Sequence, residues 1–223
     1  MQPKRLLDGT TTPDGRELEL SQRGDDYLIQ IDRLDLMGSR AHGSEEAMAA
    51  MALGALGGQG RRRWLVGGLG MGFTLRACLD TLPPSTAVVV AEVFDAVVTW
   101  NRGPLGHLAG HPLRDPRVRI EEGDVYDHLG PGCEPYDAIL LDVDNGPEAL
   151  TLDSNRRLYR DHGLRRLRRA LSPGGVLAVW SASRDDRFRK RLGKAGFRVE
   201  CRQARERPGK GARHTIFLAT LPR

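Results

Sequence analysis

Short apolar segments alternate with longer amphipathic ones from residue 63 onward. The apolar segments predict five strands, at residues 64–66, 87–91, 118–121, 138–141 and 176–180. The amphipathic segments between them predict helices at residues 74–81, 94–100 and 156–171. Because short apolar strands that alternate with helices are typical of parallel sheets, we expect a parallel sheet with helices on both faces.

The end of the chain continues this pattern with a different connection. A helix is predicted at residues 185–195, followed by two strands at 198–203 and 215–220. The loop at residues 207–211 separates these strands, so we expect them to pair as an antiparallel hairpin at the sheet edge. Residues 61–223 are therefore predicted to form one Rossmann-like α/β domain with a mostly parallel, seven-stranded sheet.

The first sixty residues have a different pattern. Residues 17–20 and 27–34 alternate apolar and polar positions on either side of Gly24-Asp25-Asp26, which predicts a β-hairpin. Met37-Gly38-Ser39 predicts a turn after the hairpin.

A helix rich in alanine and methionine is predicted next, at residues 44–56. We expect Ser44 to cap it and Glu45 and Glu46 to lie in its first turn, where the helix dipole favours carboxylates. Residues 1–60 are thus predicted to be a small hairpin-and-helix extension of the α/β domain.

A glycine-rich turn follows the first strand of the α/β domain and precedes a helix, with Gly68, Gly70, Met71 and Gly72 at its centre. Glycine allows a sharp turn against which a ligand can lie directly. The spacing Gly68-x-Gly70-x-Gly72 is tighter than that of a dinucleotide turn, and Phe73 leaves little room for a pyrophosphate. The turn therefore favours a ligand without phosphate, such as an adenosyl sulfonium.

Acidic residues follow the next three strands. Glu92 lies 20 residues after Gly72, the spacing at which a carboxylate accepts the ribose hydroxyls of a nucleotide. Asp124 with Val125 follows the third strand, and Asp142 follows the fourth. Because ligands of open α/β sheets bind outside the carboxyl ends of the strands, we expect these residues to line one cleft.

The composition argues against a metal site, a disulfide framework, a membrane span and a nucleic-acid interface. Six scattered histidines and three separated cysteines show no metal-ligand spacing, which predicts neither a metal site nor a disulfide framework. No apolar run approaches the roughly 20 residues that span a bilayer, so a cytosolic location is expected. The net charge of +5 comes from arginine clusters without interleaved aromatic residues, so we interpret them as solvated surface and not as a nucleic-acid interface.

With these motifs the chain resembles the spermidine synthase family of aminopropyltransferases, which share the class I methyltransferase fold. The resemblance covers about residues 17–181 and is carried by the following segments: Gly68-Leu69-Gly70-Met71-Gly72-Phe73, Glu122-Gly123-Asp124, Tyr136-Asp137-Ala138-Ile139-Leu140-Leu141-Asp142, Leu158-Tyr159 and Leu171-Ser172-Pro173-Gly174-Gly175. It implies that Glu92 holds the ribose, Asp124 the adenine amino group and Asp142 the reacting amine. It also implies a small-molecule acceptor, and it is compatible with a homodimer formed through the hairpin region.

The chain departs from the family at the groups that bind cations. Met71 stands where the family has an aspartate, and the aspartate-rich loop is reduced to residues 142–147. Arg40 and Ala49 align with a glutamine and a tyrosine that hold ligands. A desolvated ammonium needs carboxylate or aromatic partners, so these departures argue against spermidine synthesis itself.

The leading hypothesis is alkyl transfer from S-adenosylmethionine or its decarboxylated form to a small amine. Asp142 would orient the amine and stabilise its developing charge, with Asp144 and Tyr159 as further catalytic candidates. Two alternatives remain: an S-adenosylmethionine-dependent methyltransferase, which Met71 favours, and a cofactor-binding homologue that has lost turnover. An RNA methyltransferase is disfavoured because the fourth strand lacks an Asn/Asp-Pro-Pro-Tyr motif.

Overall fold

The computed structural model describes residues 3–58, 62–143, 153–207 and 210–223. Its first four strands form an antiparallel sheet in chain order: β1 (Arg5–Thr11), β2 (Glu17–Arg23), β3 (Asp26–Ile31) and β4 (Leu34–Gly38). Helix α1 (Gly43–Ala55) leads from this sheet to the rest of the chain.

The predicted hairpin is confirmed as β2 and β3, but two more strands flank it. Met37 and Gly38, predicted to form a turn, belong to β4. The turn lies earlier, at Asp32 and Arg33, whose φ angles are 47° and 66°. Residues other than glycine seldom adopt these angles, so the sequence does not indicate a turn here. The strand predicted at residues 27–34 therefore runs through the turn and into the start of β4.

The second sheet has seven strands, as predicted. They are β5 (Arg63–Gly67), β6 (Ala87–Glu92), β7 (Val118–Glu122), β8 (Tyr136–Leu141), β9 (Leu171–Ser181), β10 (Arg198–Arg207) and β11 (Lys210–Thr220). Their spatial order is β10-β11-β9-β8-β5-β6-β7. Strands β7, β6, β5, β8 and β9 are parallel, and β11 runs antiparallel between β9 and β10. The mostly parallel α/β fold is therefore confirmed.

Helices cover both faces of this sheet. Helix α1, together with α2 (Phe73–Thr81) and α3 (Asp95–Arg102), packs on one face. Helices α4 (Asp153–Tyr159), α5 (Asp161–Ala170) and α6 (Asp186–Lys194) pack on the other. Alternate strand residues point to opposite faces, which divides the buried apolar residues into two cores. No helix in the described part of the chain is long and apolar enough to cross a membrane.

The start of α1 differs from the prediction. His42 is the N-cap residue and makes no capping hydrogen bond through its side chain. Ser44, predicted to be the cap, lies inside the first turn and is buried. Its hydroxyl donates to the carboxylate of Glu45 instead, at 2.6 Å.

The helix predicted at residues 156–171 is two helices, α4 and α5, separated by the extended residue Arg160. At the break the first turn of α5 packs against the last turn of α4. A Cβ atom on Gly163 would lie 2.1 Å from the carbonyl oxygen of Arg157 and 2.4 Å from that of Leu158. Only a residue without a side chain allows the two helices to approach so closely. The helical periodicity of residues 156–171 continues across the break, so the sequence pattern does not indicate it.

Gly163→Ala should therefore lower the free energy of unfolding by at least about 1–3 kcal/mol, the usual cost of overpacking. The matched control is Gly193→Ala in α6, where a Cβ atom would meet nothing within 4 Å. Alanine there should be neutral or stabilise by up to about 1 kcal/mol, because it favours the helix. Urea unfolding of both variants measures the difference, and equal stability of the two would contradict the close approach.

Candidate functional site

The carboxyl ends of the central parallel strands lie side by side. Leu141 of β8 pairs with Gly67 of β5, which pairs with Ala91 of β6. The ladder continues beyond β8 and β5, since the Asp142 amide donates to the Gly67 carbonyl (3.0 Å) and the Gly68 amide donates to the Ala91 carbonyl (2.9 Å). The glycine turn and Asp142 therefore leave the sheet at adjacent points.

A cavity opens at this edge of the sheet, with an empty volume of about 1080 Å³ including the space at its mouth. The predicted residues that line it are Gly68, Gly70, Glu92, Asp124, Val125 and Asp142. The N-terminal sheet, α1 and β9 contribute further lining residues, among them Ile29, Leu36, Met37, Glu45 and Trp180. One cavity thus joins the ends of four strands, the place where open α/β sheets bind their ligands.

Gly68 holds the glycine turn against Asp142. Its φ angle is +85°, and a Cβ atom at this position would lie 2.7 Å from the Asp142 carbonyl oxygen. Both the left-handed backbone and the close approach require glycine. The main chain of the turn consequently forms part of the cavity wall.

Glu92 is buried at the end of β6 and is held by the backbone on both sides. One carboxylate oxygen accepts from the Leu69 amide at 2.8 Å, and the other accepts from the Phe94 amide at 3.0 Å. Burial raises the pKa of this carboxyl, and the backbone donors act in the opposite direction. A carboxylate oxygen can accept more than one hydrogen bond, so a ligand hydroxyl could share these oxygens with the backbone amides.

Asp124 is engaged by two protein donors. Its carboxylate accepts from the Tyr126 amide at 2.8 Å and forms an ion pair with Arg157, also at 2.8 Å. The Arg157 guanidinium lies over the Tyr126 ring, 4.3 Å from its centre. These contacts fix the orientation of Asp124, and a ligand donor must share its oxygens with them.

Asp142 is half-buried beside the first turn of α2. The Thr74 hydroxyl donates to its carboxylate at 2.7 Å. Desolvation raises the pKa of Asp142, while the Thr74 hydroxyl and the charge of His214 lower it.

Glu45 is a cavity residue that the sequence did not single out. Its side chain is buried, with 8% of the residue exposed. Burial, and then the charge of Asp142, raise the pKa of Glu45 to about 7. In the sequence, Glu45 is an ordinary acidic residue in the first turn of a helix, and only the packing of α1 beside Asp142 distinguishes it.

Several sequence candidates lie away from the cavity lining. The Met71 side chain is fully buried in the core, and Gly72 is the N-cap residue of α2. Tyr159 is also buried in the core, where its ring packs edge-on against Phe188 at 5.5 Å. Asp144 lies outside the described residues.

Arg40 and Ala49, aligned with ligand-binding residues of the family, do not line the cavity either. Arg40 pairs with Asp26 at the surface, and Ala49 is packed in the core.

Solved structures share this fold. A spermidine synthase from Thermotoga maritima superposes with a TM-score of 0.74 over 97% of this chain and 72% of its own, at 16% sequence identity. The chain has the spermidine synthase fold. No family model and no curated protein sequence matches it.

Two methyltransferases are also similar over a smaller part of the chain. The O-methyltransferase TomG from Streptomyces achromogenes, in complex with SAM, has a TM-score of 0.56 at 18% identity, covering 80% of this chain and 79% of its own. Human methyltransferase-like protein 13, in complex with SAH, has a TM-score of 0.58 at 23% identity, covering 79% and 81%. The spermidine synthase matches 97% of this chain and the methyltransferases about 80%, so the spermidine synthase fold describes more of the chain.

The hydrogen bond between Thr74 and Asp142 predicts a pH-dependent stability difference. Thr74→Val removes a donor to the carboxylate, so the variant should lose about 1.5–3 kcal/mol when Asp142 is ionised and less when it is protonated. The cost should therefore grow as pH rises through the raised pKa of Asp142.

Thr81→Val is the matched control in the same helix, because the Thr81 hydroxyl donates to the carbonyl of Ala77 at 2.7 Å and not to a titrating group. Denaturant unfolding of both variants across pH gives the comparison. If the loss of unfolding free energy in Thr74→Val is as independent of pH as that in Thr81→Val, the hydrogen bond from Thr74 to Asp142 is contradicted.

Proposed function

We propose that this protein transfers an alkyl group from an S-adenosyl sulfonium cofactor to the nitrogen of a small amine. The observation that carries the proposal is a single cavity lined by the Gly68 turn and by the carboxylates of Glu92, Asp124 and Asp142. This cavity lies at the carboxyl ends of parallel strands, where open α/β sheets bind their ligands.

The residues present fit such a cofactor. Glu92 can accept from the ribose hydroxyls, since a carboxylate oxygen can share a ligand hydrogen bond with the backbone amides that already donate to it. Asp124 can accept from the adenine amino group, and Val125 supplies an apolar neighbour for the ring. Similar structures support this assignment: a spermidine synthase was solved with the transition-state analogue AdoDATO, and the two methyltransferases with SAM and SAH.

The cavity also suits a cationic acceptor. Its described lining residues include four carboxylates, those of Glu45, Glu92, Asp124 and Asp142, and no lysine or arginine. Trp180 adds an aromatic side chain to the wall. Glu45 and Trp180 thus supply a carboxylate and an aromatic group of the kind that Met71 and Ala49 do not provide, which supports an amine as acceptor.

Asp142 would orient the amine and stabilise the positive charge that develops on its nitrogen. The bound cofactor supplies a carbon whose leaving group is a neutral thioether, so alignment is the main task of the protein. Thr74 and the backbone hydrogen bond to Gly67 hold Asp142 in place for this role.

Two transferred groups are compatible with the cavity. The described lining residues include no lysine or arginine, which favours decarboxylated S-adenosylmethionine, since it has no carboxylate to neutralise, and hence aminopropyl transfer. The lack of a carboxylate at residue 71 favours S-adenosylmethionine, and hence methyl transfer.

A product assay separates these possibilities. The protein is incubated with either cofactor and a panel of small mono- and diamines, and the nucleoside products are identified by mass spectrometry. Methylthioadenosine released from decarboxylated S-adenosylmethionine indicates aminopropyl transfer, and S-adenosylhomocysteine released from S-adenosylmethionine indicates methyl transfer. Tight cofactor binding without either product would instead support a homologue that lacks turnover.

Asp142→Asn should lower turnover by at least about 100-fold, the usual effect of losing an electrostatic group at the reacting atom. Cofactor affinity, measured by calorimetry, should change far less because Asp142 acts on the acceptor. Asp186→Asn is the control, since Asp186 is exposed on α6 outside the cavity. Equal losses of turnover and affinity in Asp142→Asn would contradict the assigned role.

A further inference from the structure

The start of α1 is fixed by three consecutive residues. The His42 ring stacks on Phe73, with ring centres 4.0 Å apart and planes 15° apart. Gly43 lies against β10, where a Cβ atom would be 2.9 Å from two backbone carbonyl oxygens. Ser44 accepts a hydrogen bond from the Trp180 indole at 3.0 Å. These contacts leave little freedom in where the next residue, Glu45, is placed.

Glu45 projects from this fixed turn into the cavity wall, whereas its neighbour Glu46 faces solvent. The Ser44 hydroxyl donates to one Glu45 oxygen at 2.6 Å. Glu46 instead pairs with His42 at 2.8 Å, outside the cavity lining. An exposed glutamate in the first turn, such as Glu46, already interacts favourably with the helix dipole. This interaction therefore does not explain why Glu45 is buried, because burial of a carboxylate is costly.

The charged groups around Glu45 come from three other elements. Asp142 follows β8, and Glu206 lies on β10; both carboxylates raise the pKa of Glu45. His214 on β11 accompanies them, with its Nε2 atom 3.2 Å from a Glu206 oxygen and its ring 4.6 Å from that of Trp180. Glu45 and Asp142 are therefore two carboxylates in the wall of one cavity, close enough for the charge of Asp142 to raise the pKa of Glu45.

We propose that Glu45 is the base that takes the proton from the acceptor amine, while Asp142 orients the nitrogen. This inference rests on the proposed alkyl transfer and adds a second catalytic residue to it. It assigns the acceptor as an amine that arrives protonated, because paired carboxylates attract an ammonium group and one of them can then accept its proton.

The step balances without another reactant. An N–H bond of the ammonium breaks and its proton moves to a carboxylate oxygen of Glu45, which leaves a lone pair on nitrogen. That lone pair forms the new N–C bond as the C–S bond breaks and its electron pair remains on sulfur. The positive charge passes from sulfur to nitrogen, and the proton on Glu45 later returns to solvent.

The environment of Glu45 suits this task at neutral pH. A general base works best when its pKa lies near the operating pH, and burial together with Asp142 brings the pKa of Glu45 to about 7. Burial also raises the pKa of Asp142, while the Thr74 hydroxyl and the charge of His214 lower it. Because the charge of Asp142 makes a second charge on Glu45 unfavourable, one carboxyl can hold a proton while the other is ionised.

The kinetic test compares Glu45→Gln with Glu46→Gln, using n-butylamine and 1,4-diaminobutane as acceptors. In the wild type, kcat should fall as pH decreases through about 7, because Glu45 becomes protonated. Glu45→Gln should lower kcat by about 100-fold and remove this acidic limb. Glu46→Gln should keep both the rate and the limb, since it removes the same charge from the same turn outside the cavity.

Glu45→Asp provides a further readout because it keeps a carboxylate that is one methylene shorter. Its kcat should fall, but an acidic limb should remain. A Glu45→Gln enzyme that keeps the wild-type limb would overturn the base assignment and leave the alkyl transfer standing. A wild type that forms no product with any amine would refute the transfer, and the base role with it.

Stability measurements test the raised pKa of Glu45 without any turnover. A carboxyl whose pKa is raised by folding binds its proton more tightly in the folded state, so its contribution to stability is lost as pH rises through the folded pKa. Glutamine does not titrate, so Glu45→Gln should not lose this stability. The melting temperature of the variant minus that of the wild type should therefore increase between about pH 5 and pH 8. The same difference for Glu46→Gln should stay flat, and equal behaviour of the two variants would overturn the inference.

Discussion

The parallel strands β8, β5 and β6 end in register, and main-chain hydrogen bonds carry the pairing one residue beyond β8 and β5. This register fixes where the chain can change direction, because the glycine turn, Glu92 and Asp142 all leave the sheet at its carboxyl edge. A shift of one residue in a strand would turn its side chains to the opposite face. The site therefore depends on strand pairing before it depends on any individual functional group.

Burial of carboxylates is the second feature that shapes this site. Glu92 and Glu45 are both largely removed from solvent, and in each case desolvation is the main cause of a raised pKa. Backbone amides partly compensate Glu92, as the Ser44 hydroxyl does for Glu45. Ionisable groups with shifted pKa values cluster at functional sites, so the concentration of these carboxylates in one cavity supports the proposed ligand site.

The parts of the fold set by local pattern could be predicted from the sequence. The strands, the edge hairpin and the cavity positions of Gly68, Glu92 and Asp142 follow from apolar periodicity and from the rule that parallel strands present their carboxyl ends together. The two-residue turn at Asp32 and Arg33 could not be predicted, because it uses backbone angles that these residues seldom adopt.

The positions of several side chains at the site could not be predicted, because they depend on contacts between segments that are distant in the sequence. Glu45 reaches the cavity because α1 packs against α2, β9 and β10, and no local pattern records that packing. Met71 and Tyr159 stand in motif segments, yet their side chains face the cores. Motif position predicts where the backbone runs, but side-chain direction depends on neighbours that are remote in the chain.

The most direct test of the account is a crystal structure of the protein with S-adenosylhomocysteine bound. We expect ribose hydroxyls hydrogen-bonded to Glu92, the adenine beside Asp124 and Val125, and the sulfur atom facing the part of the cavity that holds Asp142 and Glu45. A nucleoside bound elsewhere, or one bound in this cavity with its ribose away from Glu92, would contradict it.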